Sequence, residues 1–142
     1  MRLQLRTRIR GIFVDMRREY LKCVMRMNIS KSARISWHIF YDKTTPRWIY
    51  IDYESYFASR VIVFTHDYAW LKGGLNIKIG KRYVIGVNAI IMPGITIGDS
   101  SIVGASSVLK MDVSGNCLVA WNLVKTGIKT GRYGYLIYEN NK

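Results

Sequence analysis

Residues 77–114 read IKIGKRYVIGVNAIIMPGITIGDSSIVGASSVLKMDVS, and an aliphatic residue recurs in this stretch at every sixth position. We call these residues the anchors, and they are Ile79, Ile85, Ile91, Ile97, Val103 and Leu109. A six-residue period is typical of β-helices, in which each unit supplies one short strand and one bend. Three such units close a triangular coil, and stacked coils bury each other's anchors. The stretch therefore predicts a left-handed parallel β-helix.

The residues around each anchor also follow a pattern. The side chain two positions before an anchor must be small to fit a corner of the coil, and this holds at Ala89, Ser101 and Ser107. Tyr83 departs from the rule. Glycines directly follow four anchors, at Gly80, Gly86, Gly98 and Gly104, and Gly94 lies at a bend beside Pro93. We expect the conformational freedom of glycine to serve the bends.

The same period is present upstream in a weaker form. Two further sets are spaced by six, first Ile29 with Ile35 and then Ile51 with Phe57 and Val63. YDKTTPRW lies between the two sets and has the Thr-Thr-Pro composition of a loop. After Val63, THDYAWLKGGLN interrupts the repeat, and its Gly-Gly pair is unfavourable in a strand. The interruption predicts a loop that leaves the β-helix and includes residues 68–76.

The first part of the chain has a different period. From Arg8 to Met27, apolar residues recur every three or four positions with basic residues opposite them, which indicates an amphipathic helix. The favoured interpretation is packing on its own domain or on a neighbouring subunit, and contact of residues 1–26 with a membrane surface is the second. We divide the chain into this helical segment (1–28), the β-helix domain (29–125) and a C-terminal extension (126–142).

The amino-acid composition of the chain limits the classes of function that it can have. The chain has 22 Lys and Arg against 9 Asp and Glu, a net charge of +13. A basic excess suits nucleic acid, an anionic membrane or a phosphorylated ligand, but no nucleic-acid reader motif accompanies it, so we expect no nucleic acid. Cys23 and Cys117 lie far apart in apolar surroundings and are predicted to be reduced, packed thiols, with no metal site. No signal peptide or membrane span is recognisable, so we expect a cytoplasmic protein or one peripheral to the inner face of the membrane.

The segment IGVNAIIMPGITIGDSSIVGASSVLKMDV, residues 85–113, resembles the hexapeptide-repeat acyltransferases. The similarity is greatest to the O-acetyltransferases of xenobiotics, galactosides and cell-surface glycans. It extends over residues 77–124 and, less closely, over residues 49–67. The resemblance implies a left-handed β-helix, a homotrimer with active sites between subunits, acetyl-CoA as donor, and a hydroxyl or amine as acceptor.

The resemblance also implies a catalytic histidine on a loop that leaves the β-helix, and His66 in Thr65-His66-Asp67 occupies that place. The chemistry agrees, because acetyl transfer to a hydroxyl needs a base for the hydroxyl proton and imidazole titrates near neutrality. A polar loop residue without a catalytic role is the alternative for His66. The other histidine, His38, lies among apolar residues and is interpreted as structural.

Further roles follow from the resemblance alone. Val87 and Ala105 correspond to backbone contacts with the pantetheine arm of CoA. Lys110, one residue before the position where the family usually has a lysine, and Lys125, at a basic position of the family, are expected to contact the CoA phosphates, and a solvated charge without a ligand is the alternative for Lys125. We expect Asp67, Tyr68 and Trp70 to shape the acceptor site. The sequence departs from the family pattern where Ser106 replaces a glycine, where Met111 replaces a lysine, and at Trp121.

We therefore predict an acetyl-CoA-dependent O-acetyltransferase acting on a sugar or surface-polysaccharide precursor. Two alternatives remain open: acetylation of a small xenobiotic, and a non-catalytic β-helix that serves as a binding or scaffold module, which the three departures favour. A carbonic anhydrase on this fold would need three histidines on zinc, and the chain has two. Serine acetyltransferases carry a long helical N-terminal domain that this sequence does not show.

Overall fold

A computed structural model describes residues 2–67 and 75–119 of the 142-residue chain. The described part begins with helix α1, Arg2–Cys23. Four coils follow, built from β1 (Asn28–Ile29), β2 (Arg34–Ile35) and β3 (Phe40–Tyr41); β4 (Ile49–Ile51), β5 (Tyr56–Phe57) and β6 (Ile62–Val63); β7 (Ile77–Ile79), β8 (Val84–Ile85) and β9 (Ile90–Ile91); and β10 (Thr96–Ile97), β11 (Ile102–Val103) and β12 (Val108–Leu109). A short 3-10 helix, Pro46–Trp48, precedes β4, and β13 (Leu118–Val119) belongs to a fifth coil.

The strands form three parallel sheets, one on each side of a triangular prism. Sheet A has the order β1-β4-β7-β10, sheet B β13-β11-β8-β5-β2, and sheet C β12-β9-β6-β3. In the third and fourth coils the pairs Ile79 with Ile97, Ile85 with Val103, and Ile91 with Leu109 are each eighteen residues apart, which is three six-residue units per coil. The predicted parallel β-helix is confirmed, as is the helix that precedes it.

The core consists of the anchors stacked along the prism axis. All six anchors of residues 77–114 are at most 3% exposed, and so are the upstream residues Ile35, Ile51, Phe57 and Val63. Ala89, Ser101 and Ser107 are fully buried at the positions predicted to require small side chains. Tyr83 is fully buried as well, so this corner of the third coil accommodates a large ring.

The left-handed backbone conformation occurs at a different position of the six-residue unit from the one expected. Within the coils it occurs at the third residue after an anchor or the equivalent residue of another coil, at Glu54, Arg60, Arg82, Asn88, Gly94, Ser100, Ser106 and Asn116, and it also occurs at Arg26, after the end of α1. Gly94 is the one glycine among them, and the expectation for glycines directly after anchors was wrong. Gly80, Gly86 and Gly98 are instead needed for space. A Cβ on Gly86, for example, would lie 2.5 Å from the backbone nitrogen of Ala105 in the next coil. Ser106 takes a φ of 59°, a conformation that suits the glycine of the family pattern.

Helix α1 lies against β1 and β2, and the fully buried Leu21 joins the core of the β-helix. Within the described residues no helix is both long enough and apolar enough to cross a membrane. The prediction of two packed thiols was wrong for Cys23, which is exposed because it ends the helix on its outer side, whereas Cys117 is half-buried.

We expect Tyr83→Phe to stabilise the protein. The hydroxyl of Tyr83 is buried and has no hydrogen-bond partner among the described residues, and burial raises the pKa of this phenol. An unsatisfied buried hydroxyl costs about 1–3 kcal/mol, so its removal should raise the free energy of unfolding by about 1 kcal/mol. Urea unfolding followed by circular dichroism measures the change, and a loss of stability in the variant would show that the hydroxyl has a partner.

Candidate active site

Two neighbouring strands of sheet C bring an aspartate and a histidine to the same corner of the prism. Asp42 directly follows β3, and His66 comes three residues after β6. The strands pair in parallel with Tyr41 opposite Val63, and the Asp42 backbone N–H donates to the carbonyl of Val63 at 2.9 Å. Because parallel strands end at the same edge of a sheet, the segments that follow them lie side by side.

His66 and Asp42 form a short hydrogen bond. The distance from His66 Nδ1 to Asp42 Oδ2 is 2.7 Å, and the two side chains are 13% and 9% exposed. Burial alone would raise the pKa of Asp42, but hydrogen bonds from the Thr44 backbone N–H and from His66 and other side chains lower it to about 2. The carboxylate is therefore ionised at neutral pH and can only accept. Nδ1 of His66 must then carry the donated hydrogen, which makes Nε2 the basic nitrogen of the neutral ring.

Three further neighbours, Thr45, Thr65 and Trp48, contact the imidazole. The buried Thr65 hydroxyl lies 2.9 Å from the Thr45 hydroxyl, and both hydroxyl oxygens lie 3.4 Å from His66 Nδ1. The Trp48 ring stacks on the imidazole with centroids 6.4 Å apart and planes at 27°. The Leu75 backbone N–H donates to the Thr65 carbonyl at 3.0 Å and ties the chain together where it returns to the β-helix. The ring is thus fixed in orientation as well as in tautomer.

The Asp42 carboxylate should make stability depend on acid pH. Its folded-state pKa is lowered from 3.8 to about 2, so its contribution is fully present above pH 3.8 and is lost as pH falls through 2. The contribution is about 2 kcal/mol for this largely buried group. We expect Asp42→Asn to lower the free energy of unfolding at pH 6 and the difference from wild type to shrink toward pH 2. Urea titrations at both pH values test this, and a pH-independent difference would contradict it.

The residues predicted to hold CoA lie at two corners. Val87 and Ala105 are exposed and stack in adjacent coils where the chain passes from sheet B to sheet C, with the Ser106 N–H donating to the Val87 carbonyl at 2.8 Å. Lys110 is exposed at the same corner as His66 but two coils further along the prism. At the spacing of paired strands, two coils correspond to about 10 Å. The structure therefore places Lys110 on the His66 corner and the other two residues on a different one.

The structure describes only some of the remaining predicted residues. Asp67 is half-buried directly after His66. Tyr68, Trp70, Lys125, Trp121 and the extension 126–142 lie outside the described residues. His38 was predicted to be structural among apolar neighbours, but its side chain is exposed because it lies at a coil corner, where its carbonyl accepts from the Arg60 N–H. Among the described residues no group of three His, Cys, Asp or Glu side chains is arranged to hold a metal.

Asp42, Thr45 and Trp48 were not among the residues predicted for the site. A signal for Asp42 was present, because Tyr41 comes six residues after Ile35 and continues the upstream period. When Tyr41 is aligned with Val63, Asp42 lies just after β3 and the segment Thr65-His66-Asp67 lies just after β6. This alignment predicts a carboxylate beside the histidine. Thr45 and Trp48 lie in the loop between β3 and β4, for which the six-residue period gives no position.

Comparison with known proteins identifies the repeat. Residues 76–110 match the family model described as bacterial transferase hexapeptide (six repeats). YvoF of Bacillus subtilis, whose name provisionally assigns it to the acetyltransferases, is 24% identical over 78% of this chain and 64% of its own length. The galactoside O-acetyltransferase of Escherichia coli is 43% identical over 31% of this chain and 22% of its own. The chain thus spans less than two thirds of the length of these relatives.

Solved structures share the fold. A maltose O-acetyltransferase from Clostridium difficile superposes with a TM-score of 0.59 and 23% identity, covering 82% of this chain and 88% of that one. A galactoside acetyltransferase solved with coenzyme A gives a TM-score of 0.60 and 20% identity, covering 91% and 78%. Both are left-handed β-helices, so the predicted handedness is confirmed.

Proposed function

Since residues 76–110 match the hexapeptide transferase model and solved acetyltransferases share the fold, we propose that the chain is a hexapeptide-repeat acyltransferase, and specifically an acetyl-CoA-dependent O-acetyltransferase with His66 as its general base. The observation that carries the proposal is the hydrogen bond from His66 Nδ1 to the ionised Asp42, at the corner where a loop leaves the β-helix. This arrangement fixes the tautomer in which Nε2 can accept a proton.

The proposed reaction uses the two nitrogens differently. His66 Nε2 removes the hydroxyl proton of the acceptor as the acceptor oxygen attacks the thioester carbonyl carbon. Asp42 stabilises the resulting imidazolium through Nδ1–H and is a positioning residue, since it acts through His66. Backbone N–H groups of a neighbouring coil would stabilise the oxyanion of the tetrahedral intermediate. When the carbon–sulfur bond breaks, His66 returns its proton to the departing thiolate, which yields the acetyl ester and free CoA.

The donor would bind along the edges of the coils. Lys110 is exposed on the His66 corner and could meet a CoA phosphate, with Lys125 as a second basic group. Val87 and Ala105 lie at another corner of the same chain, so they would serve a site completed by a second subunit. We therefore propose a homotrimer in which His66 of one subunit faces Val87 and Ala105 of the next.

The proposed acceptor is a sugar hydroxyl. The relatives and neighbours named as galactoside and maltose O-acetyltransferases support a saccharide. Asp67, Tyr68 and Trp70 belong to the loop that follows His66, and we propose that they contact the acceptor, here a surface-polysaccharide precursor in the cytoplasm.

Binding and turnover can be tested separately. Calorimetric titration with acetyl-CoA measures donor binding, and release of the CoA thiol in the presence of galactosides, maltose and other sugars measures transfer. We expect binding below millimolar concentration and sugar-dependent thiol release. No binding at millimolar acetyl-CoA would refute the transferase, and the non-catalytic scaffold would then be the better description.

A further inference from the structure

Helix α1 presents an apolar face to solvent. We call Leu5, Ile9, Ile12 and Met16 the outer stripe, and they are 60%, 45%, 59% and 58% exposed. Their spacing of four, three and four residues places them on one side of the helix. The opposite side faces the β-helix and includes the half-buried Val14 and the buried Leu21. The apolar side of this amphipathic helix is therefore the side that the β-helix does not cover.

The orientation of the helix is held by aromatic contacts with the first coil. The guanidinium of Arg17 lies 5.5 Å from the centroid of the Trp37 ring and 5.8 Å from that of Tyr41. Phe13 meets Trp37 edge-on, with centroids 6.5 Å apart. These contacts keep the outer stripe pointing away from the β-helix. They also extend the apolar surface, because Phe13 and Trp37 are 54% and 55% exposed.

The helix that carries the outer stripe is rich in positive charge. Residues 2–14 contain Arg2, Arg6, Arg8 and Arg10 and no acidic residue, and the acids that follow, Asp15 and Glu19, are both paired with Arg18. The basic surface continues onto the β-helix. A groove of about 670 Å³ between α1 and sheet B is lined by four basic residues, Arg10, Arg18, Lys31 and Arg34, against one acidic residue, Asp15.

We propose that α1 docks on an anionic membrane surface, with the outer stripe in the acyl boundary and the arginines among the lipid headgroups. Exposed apolar residues flanked by arginine, on a helix too polar to span a bilayer, are the features of an interfacial helix. An exposed tryptophan at the edge of the patch suits the headgroup level. A second copy of the chain is the weaker occupant, because residues 27–142 hold fourteen basic against seven acidic residues, so their net charge has the same sign as that of the helix.

Vesicle binding by the full chain tests the proposal with a matched pair of variants. Met16 in the outer stripe and Met111 on the β-helix are 58% and 54% exposed, so Met16→Glu and Met111→Glu remove the same side chain and the same unit of charge. Flotation with phosphatidylcholine vesicles, with and without 30% phosphatidylglycerol, measures the bound fraction at a buffer ionic strength of about 0.1 M, where the Debye length is about 10 Å. We expect wild type to bind the anionic vesicles at least about tenfold more strongly than the neutral ones, Met16→Glu to lose about tenfold, and Met111→Glu to change less than about twofold.

Each other outcome overturns the proposal. Equal binding to neutral and anionic vesicles would remove the role of the arginines, and equal losses in both variants would remove the role of the outer stripe. No vesicle binding, together with dissociation of the oligomer by Met16→Glu in light scattering, would assign the outer stripe to a subunit interface. The assay uses no acetyl-CoA, so its failure would leave the acetyltransferase proposal standing.

Discussion

Replacing His66 with alanine is expected to lower kcat for acetyl transfer by about 10²- to 10⁴-fold, the usual contribution of a positioned general base. KM for acetyl-CoA should change little, because the proposed donor contacts are on other residues. The residual activity of the variant should be nearly independent of pH between 6 and 8, since no imidazole is left at this position. Initial rates of thiol release with a saturating sugar acceptor measure the effect.

The second histidine supplies the control. His38 is exposed at a coil corner of the same β-helix, so His38→Ala makes the same change outside the site and should retain wild-type kcat. Both variants should give wild-type circular dichroism, because neither side chain belongs to the buried core. Unchanged turnover in His66→Ala, with donor binding intact, would remove His66 from the proposed mechanism and leave the acyltransferase assignment in place.

Gly98→Ala is expected to cause the largest loss of stability. Gly98 directly follows an anchor, and a Cβ there would overlap the backbone nitrogen of Gly115 and lie 2.8 Å from its Cα. Since the obstacle is the backbone of the next coil and no flexible side chain can move away, the coils must separate locally. We expect the free energy of unfolding to fall by about 3 kcal/mol. Urea unfolding monitored by circular dichroism measures it.

Gly11→Ala is the matched control for this change. Gly11 lies within α1, and a Cβ at that position would meet nothing within 4 Å. Alanine is favoured over glycine inside a helix by about 0.5–1 kcal/mol, so this variant should be slightly more stable than wild type. If Gly98→Ala were as stable as wild type, the close approach of the coils at Gly98 would not limit stability.

The fold could be predicted because one physical requirement repeats. Each anchor must be aliphatic to fill the prism, and Ile79, Ile91 and Leu109 show that requirement without any knowledge of their partners. The corners were less predictable. A glycine directly after an anchor was predicted to provide an unusual φ. In the structure Gly86 instead leaves room for the adjacent coil, and Arg82 takes the left-handed conformation. The sequence of one coil does not reveal how closely the backbone of the adjacent coil approaches it.

The site could be predicted only in part, because the sequence of one segment does not show which other segment packs against it. His66 could be predicted because it stands where the repeat is interrupted. Asp42 lies 24 residues earlier and meets His66 only through the alignment of β3 with β6, which depends on the length of the intervening loop. The exposure of Cys23 also depends on tertiary structure, because the helical period alone does not say which face of α1 the β-helix covers.

In the part of the chain that the structure describes, every irregular coil length arises at the corner between sheets C and A. Paired residues in the complete coils are separated by 22, 28 and 18 positions, as in Tyr41 with Val63, Val63 with Ile91 and Ile91 with Leu109. The turn into the fifth coil is shorter, since Ile97 meets Val113 after 16 positions. The extra residues lie in the sequence between β3 and β4 and between β6 and β7, and the anchors on either side of them keep their pairing. The prism thus tolerates insertions and deletions along one edge, and that edge, which carries Asp42 and His66, can change its chemistry while the other two edges keep the coils in register.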